Sequence, residues 1–465
     1  MKTGLSLTVT GALLSKTLGV SGAEALQKKQ ISVNTKKGLF ITIEELKDVL
    51  GCYDSPVVKT PNIDKLAKKG VLFKRAYCQF PVCNPSRSSF LTGLRPDTIG
   101  ILDNVKSLFH ENPNIVTLPA VFKNSGYYTA RLGKVFHGTG EHDDPNAWVE
   151  TFDLDDDEIA KKGTGRNLTN GKVEWCRWLA AEGQDSNHSD GKIALKAIEL
   201  LSRKSDRNFF IAVGFHKPHD PFIAPKKYFD MYPLEEIIPP SVPSDATKEP
   251  EIIFGSGWKK TFDAFSEKDK KEFLRAYYAC TSFVDTQVGK VLDAMDRQNL
   301  WKDTVVVLIA DHGYNLGEHN WWNKNVLYDH SCRVPLMVYA PDETAEGKTC
   351  QSFVESLDIF PTVTDICGLK SPGNLEGASF RPLLKDPSQD WKIGAYTQVR
   401  RGAVKGYSVR TKRWRYTEWD YGKAGRELYD HNNDPDEYYN LIDRPGLENI
   451  IRHHKELLYA NNKKH

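Results

Sequence analysis

Three things are scarce in this chain: cysteine, net charge and long apolar runs. Eight cysteines in 465 residues are too few for a dense disulfide framework, and their spacing fixes no connectivity. Cys332 with Cys350, or Cys350 with Cys367, are pairings that export would permit. Charges nearly cancel, 63 basic against 61 acidic, which excludes the strongly basic character of a nucleic-acid binder. No run is apolar for the roughly 20 residues that a membrane span takes. The nearest approach, residues 5–14, is short and rich in threonine. With Met1-Lys2 before it and Ala23-Glu24-Ala25 after it, this stretch reads as a signal peptide over residues 1–25, and a periplasmic or secreted protein is expected. A disordered tail is the competing reading. No cysteine precedes Cys52, which argues against a lipid anchor on a mature N-terminal cysteine. No internal repeat is visible.

What is present is an alternation of strand and helix patterns. Residues 38–43, 208–215 and 304–310 are mostly apolar runs suited to buried parallel strands. They end in Glu44-Glu45, His216 and Asp311-His312 respectively. Polar residues just past the carboxyl ends of central strands are where open α/β sheets assemble their sites. Helical patterns cover residues 63–69, 85–92, 191–202 and 267–297, and 354–367 also reads as a helix. A further strand is expected at 335–340. The alternation predicts an α/β fold, a large mostly parallel sheet flanked by helices. The segment 217–260, rich in Pro, Lys and Asp, reads as a long insertion, either a substrate-facing wall or a solvated loop. From about Pro372 the texture changes: residues 407–411 and 414–419 alternate at period two around Lys412-Arg413, a hairpin pattern. We therefore expect a catalytic domain over 30–370 and a smaller C-terminal α+β subdomain on an antiparallel sheet over 371–465, closing with a helix near 447–459.

The chemistry-bearing motifs are ordered along this frame. Cys83-Asn84-Pro85-Ser86-Arg87 leads into a helical pattern, with Pro85 expected near the first helical position. A residue there faces unpaired backbone N–H groups and the positive end of a helix dipole, which suits an anion. Arg87 adds a cation one turn on. A buried structural cysteine is the bland alternative. Glu44, Glu45, Asp311 and His312 offer mainly oxygen ligands, the set preferred by Ca²⁺ or Mg²⁺ over zinc. Lys134 and His137 place a cation and a base three residues apart. His216 offers a proton donor, with His219 close by, and Lys324 a further cation.

Taken with Thr60-Pro61-Asn62-Ile63-Asp64, Thr92-Gly93-Leu94-Arg95-Pro96-Asp97-Thr98, Gly133-Lys134-Val135-Phe136-His137, Gly214-Phe215-His216-Lys217-Pro218-His219 and residues 311–319, the chain resembles a type I sulfatase of the alkaline-phosphatase superfamily. Within it the chain is similar to the iduronate-2-sulfatase-like branch. The resemblance implies an alkaline-phosphatase-like fold and a maturase that oxidises Cys83 to Cα-formylglycine. It implies a metal held by Glu44, Glu45, Asp311, His312 and the modified residue 83, and a sulfated carbohydrate substrate. It further implies that a hydroxyl of the hydrated aldehyde attacks sulfur, that His216 or Lys324 protonates the leaving oxygen, and that His137 then takes a proton to release sulfate. Lys134 and Lys324 would neutralise the sulfate oxygens, and Arg87 would support residue 83.

One departure stands out. The family pattern has two aspartates after the first strand, and this chain has two glutamates, whose extra methylene moves each carboxylate by about 1.5 Å. Metal binding with altered affinity is expected. A silent glycan-binding relative is the alternative that these glutamates support, and a phosphoester hydrolase of the same superfamily is a third reading. For substrate contacts the candidates are His219, Trp322 and Arg410. Similarity to the iduronate branch points to an acidic sugar, which Arg410 would meet unless it is an ordinary basic turn residue. Trp322 either stacks on a sugar ring or packs in the core.

Overall fold

Every residue of Lys37–Ile43 is buried, as an apolar run between two covered faces demands, and this strand, β1, is central to the sheet. The computed structural model describes Met1, residues 36–255 and residues 257–460. Apart from Met1, the expected signal peptide lies outside the described residues. The main sheet adds β2 (Val71–Phe73), β3 (Tyr128–Gly133), β4 (Glu150–Phe152), β5 (Phe209–Phe215), β6 (Thr304–Ala310), β7 (Leu336–Tyr339) and β8 (Thr349–Cys350). Their order is β8-β2-β7-β6-β1-β5-β3-β4. Among the described residues only β7 runs against its neighbours in this sheet, antiparallel to both β6 and β2.

Register explains why the site residues meet. Ile43 pairs with Ala310 on one side and Phe215 on the other, so Glu44, Asp311 and His216 all leave the sheet at the same edge. Gly133 pairs with Gly214, which brings Lys134 to that edge too. This pairing needs both glycines. A Cβ on Gly214 would lie 2.0 Å from the Lys134 carbonyl oxygen, and Gly133 has a φ of +62°.

Helices α1 (Pro61–Lys69), α2 (Cys83–Thr92), α3 (Leu118–Asn124), α4 (Ser189–Arg203) and α5 (Glu267–Arg297) connect or cover the strands. The start of α5 is fixed by a capping box between Ser266 and Asp269. The helix expected over 354–367 is shorter than its apolar pattern. Val354–Glu355 is instead a two-residue strand beside Ala76–Tyr77, and α6 covers Ile359–Ile366. Glu355 is held out of the helix by Arg95, at 3.0 and 3.1 Å, and by Lys392 at 2.6 Å.

The segment 217–260 is no free loop. Phe222–Pro225 joins Gly163–Asn167 and Arg177–Ala181 in a three-stranded sheet, and Tyr228, Phe229, Tyr232 and Phe254 are buried. Beyond it, β9 (Gly394–Arg401), β10 (Val404–Thr411), β11 (Trp414–Trp419) and β12 (Gly425–Asp430) form the expected antiparallel sheet, with α7 (Glu448–Ala460) following. Leu458 packs with Tyr407, Val409, Tyr416 and Leu428. Ala395, Val399, Trp419 and Tyr429 share an apolar cluster with Phe283, Trp321 and Trp322, so this sheet is docked by a common core. All eight cysteines are unpaired, and neither disulfide that export would permit is formed. Among the described residues no helix is long and apolar enough to cross a membrane.

Candidate active site

Cys83 is the first residue of α2, after an extended Val82, and Pro85 is the third residue rather than the first. Proline is tolerated there because the first-turn amides have no intrahelical acceptor. The helix start is less open than expected. Asn84 N–H donates to Asn104 Oδ1 at 3.0 Å and Ser86 N–H closes on the Val82 carbonyl at 3.0 Å. Attraction for an anion must therefore come mainly from side chains.

Those side chains converge on Cys83. Its Sγ lies 3.3 Å from Lys324 Nζ and 3.5 Å from His312 Nε2. His312 Nδ1 lies 2.9 Å from the Gly313 carbonyl, an acceptor that fixes the proton on Nδ1 and leaves a lone pair on Nε2 facing Cys83. Lys134 pairs with Glu44, and Lys324 with Glu45. Burial would raise the Glu44 carboxyl, but His219, Lys134, Arg87 and Lys324 outweigh it and hold it well below the usual range. Burial pushes the Cys83 thiol up and the Lys324 ammonium down to about 8. Burial likewise lowers His137 to about 4, helped by the Lys134 charge, and His216 to about 4.

Arg87 and Asp311 form a fully buried ion pair, Nε to Oδ2 at 2.9 Å. The guanidinium also donates to the Lys134 and Val135 carbonyls at 2.6 and 3.0 Å. Asp311 Oδ1 accepts from Glu45 N–H at 2.9 Å and His312 N–H at 3.0 Å. Arg87 thus supports the turn that carries Lys134 and the strand end that carries the carboxylates.

The donor set fits a hard divalent cation. Ligand atoms of Glu44, Cys83 and His219, and of Glu45, Cys83 and His312, fall within 4.8 Å of one another in each group. Glu45 Oε2 is buried and accepts no hydrogen bond among the described residues. His219 Nε2 lies 3.2 Å from Glu45 Oε1 and its Nδ1 faces the Asp220 carbonyl, so the imidazole stands beside the same carboxylates. Asp311, expected as a ligand, lies beside these groups, with Oδ1 3.8 Å from His312 Nε2, and its carboxylate is also held by Arg87 and two amides. His219, expected to touch substrate, lines the open cleft and also lies near the ligand atoms of Glu44 and Cys83.

A family model described as Sulfatase matches residues 36–369, and one described as N-sulphoglucosamine sulphohydrolase, C-terminal, matches residues 317–464. The chain belongs to the sulfatase family. Its members hydrolyse sulfuric esters. The chain is 32% identical to the iduronate 2-sulfatase of Mus musculus over 464 residues, covering 82% of this chain and 84% of that one. Among solved structures it is similar to the phosphonate monoester hydrolase of Agrobacterium radiobacter, with a TM-score of 0.80 at 21% identity over 92% of this chain and 96% of that one. It is also similar to a protein in complex with its substrate D-glucosamine-2-N,6-O-disulfate, with a TM-score of 0.75 at 20% identity over 92% and 98% of the two chains. At these identities the structural likeness establishes the alkaline-phosphatase-like fold alone.

Two residues expected to meet a sulfatase substrate do not face the cleft. Trp322 is 1% exposed and packs against Phe265 and Phe273, with ring centroids at 5.8 and 5.0 Å. Arg410 is buried on β10, with Nε 3.4 Å from Asp329, inside a charged cluster with Arg415 and Glu437. Its partner carboxylate, supplied from outside the hairpin, turns it inward. The cleft that does open on the site encloses about 600 Å³ and is lined by Glu44, Lys134, His216 and His219. Among positions that sequence reasoning missed, Asp190 accepts from His216 N–H and Lys217 N–H, both at 2.8 Å, and so sets the backbone that presents His216. Ser86 Oγ donates to the Asp311 carbonyl. Neither carries a motif of its own; an aspartate at the start of α4 reads as ordinary helix N-terminal chemistry.

Proposed function

We propose that this chain releases sulfate from a sulfated sugar, with Cys83 matured to Cα-formylglycine and Ca²⁺ or Mg²⁺ held by Glu44, Glu45, Asp311, His312 and residue 83. The observation that carries this reading is the position of Cys83. It starts a buried helix, between a lysine ammonium at 3.3 Å and an imidazole lone pair at 3.5 Å, above two buried carboxylates. These neighbours fit the oxygen atoms of a hydrated aldehyde, which supplies a hydroxyl nucleophile. A cation at the glutamates would add charge for the sulfate oxygens.

The protein's own groups divide the remaining work. Lys324, at about 8, is protonated at neutral pH and can give a proton to the departing alcohol oxygen. His137 and His216, each near 4, are neutral at that pH and suited to accept one. Between the two proton donors that the resemblance left open, this favours Lys324. Lys134 brings its charge against the sulfate, and Arg87 acts by positioning. Action outside the cytoplasm is part of the proposal, supported by the charged start, apolar run and Ala-x-Ala of residues 1–25.

The test is sulfate release from a panel of sulfated mono- and disaccharides, using protein co-expressed with a formylglycine-generating maturase. Release that disappears in Cys83→Ala is expected. If mass spectrometry finds the aldehyde at residue 83 and no panel member yields sulfate, the silent glycan-binding reading replaces this one.

A further inference from the structure

The active-site cleft continues past Lys134 and His216 along residues 153–156 and His188. A sulfate group belongs beside Cys83, Lys134 and Lys324, so the rest of the lining faces the alcohol half of the ester. That lining is acidic, and its acids are unequally engaged. Asp153 is committed to Arg131 at 2.7 and 2.9 Å. Asp155 is exposed, and its backbone carbonyl, not its carboxylate, takes Lys192 Nζ at 2.7 Å. Asp156 Oδ1 accepts the Ser189 amide, at 2.6 Å. Among the described residues neither Asp155 nor Asp156 has a cation within ion-pair distance. The two lysines of the same lining are both engaged elsewhere: Lys134 on Glu44, and Lys217 on the His219 and Pro221 carbonyls at 3.0 and 2.8 Å.

A second observation points to a ligand at this wall. His188 is 2% exposed, lines the same cleft, and its Nε2 is buried without a hydrogen-bond partner among the described residues. Such an atom costs stability unless something binds it. The cleft is thus cationic where sulfate reacts and carries spare negative charge, with one spare imidazole nitrogen, along the wall beyond.

We propose that the alcohol half of the substrate carries a protonated amine: a sulfated sugar with a free amino group, its ammonium at Asp155 and Asp156 and a polar hydrogen at His188 Nε2. This rests on the sulfate-ester reading above and names its substrate class. It excludes a uronate, whose carboxylate would face the same aspartates, and the inward turn of Arg410 removes the cation that was expected to receive it.

The experiment compares kcat/KM for the sulfate position isomers of glucosamine, their N-acetyl counterparts and a sulfated uronate, with a small aryl sulfate alongside. The amino sugar is expected to exceed its N-acetyl counterpart by about two- to fivefold, the worth of one exposed ion pair, and the uronate to be slowest. In Asp155→Asn/Asp156→Asn the ratio is expected to fall towards one, and raising salt should narrow it in the unaltered protein. Asparagine keeps an acceptor for the Ser189 amide, so folding should survive. Calorimetric binding of the same sugars to Cys83→Ala gives a reading free of turnover, with the same order expected. Equal ratios, a faster uronate, or a preference unchanged in the double variant would overturn the proposal while aryl sulfate turnover leaves the sulfatase reading intact. Loss of all turnover in protein carrying the aldehyde would overturn both.

Discussion

Removing Arg87 strands a charge. The guanidinium and the Asp311 carboxylate are both fully buried, 2.9 Å apart, and deleting one partner of such a pair costs about 3–5 kcal/mol because the other stays desolvated. Asp311 keeps two amide donors on Oδ1, which places the loss at the lower end. The Lys134 carbonyl still accepts from Thr42 Oγ1 at 3.1 Å, but the Val135 carbonyl loses its Arg87 donor, adding about 1 kcal/mol. Arg87→Ala should therefore destabilise by about 4 kcal/mol, against a typical total of about 5–15. Urea unfolding followed by circular dichroism measures it, on protein expressed without the maturase so that the chemistry of residue 83 does not enter. Adding Asp311→Asn should recover part of the loss, since a neutral amide is no longer a stranded charge. A change below about 1 kcal/mol for the single variant, or a double variant no more stable than the single, would refute the claim that this pair carries buried charge.

Three further outcomes are expected. Ca²⁺ or Mg²⁺ at 100-fold over its dissociation constant should stabilise the protein by about 2.7 kcal/mol, seen as a raised melting temperature that Glu44→Gln/Glu45→Gln abolishes; no shift with either ion removes the cation from the proposal. Gly214→Ala drives a methyl to 2.0 Å from the Lys134 carbonyl, and should cost about 1–3 kcal/mol together with most sulfate release; normal stability and activity would show that β3 and β5 can separate harmlessly. Burial would raise Glu355, but Arg95 and Lys392 outweigh it and hold it at about 2. Its contribution is then complete above about pH 4.5, the unfolded value, and is lost as pH falls towards 2. Glu355→Gln should flatten the acid limb of a stability–pH curve by about 3 kcal/mol, and an unchanged limb would rule out this pairing as its source.

How far the fold was legible follows from which forces act locally. The central strands were readable because a strand covered on both faces needs an unbroken apolar run, and their polar C-terminal neighbours marked the site edge. The reversal of β7 was not, since residues 335–340 are equally apolar in either direction. Residues 354–367 read as a helix because a short apolar run fits both periods, and the ion pairs of Glu355 that decide it come from Arg95, 260 residues away. The place of Asp311 after β6 marks it as a candidate ligand, but the ion pair its carboxylate also makes, with Arg87 224 residues distant, has no local signature. Trp322 and Arg410 failed for one reason: an aromatic ring or a guanidinium has the same local signature whether it meets a sugar or a buried partner. His188 and Asp155 went unnoticed because only the folded cleft sets them beside the motif residues.

The paired glutamates pose a geometric problem that the backbone solves. Successive side chains of an extended strand point to opposite faces, so two consecutive carboxylates cannot both reach residue 83 if β1 simply continues. The chain leaves the extended region at once: Glu45 has a φ of +59°, a left-handed conformation that costs a non-glycine residue about 1–2 kcal/mol. Two contacts impose it. Glu45 N–H donates to Asp311 Oδ1 at 2.9 Å, and its carbonyl accepts from the Tyr277 hydroxyl at 2.5 Å. The same hydroxyl takes Lys47 N–H at 2.8 Å, tying the following turn to α5. The strain at Glu45 is thus offset by a clamp from β6 and α5, and the clamp turns both carboxylates towards one point. Glutamate's extra methylene then adds reach to a backbone already aimed, which is why the departure from two aspartates leaves Glu44 and Glu45 within ligand distance of Cys83 and does not scatter them.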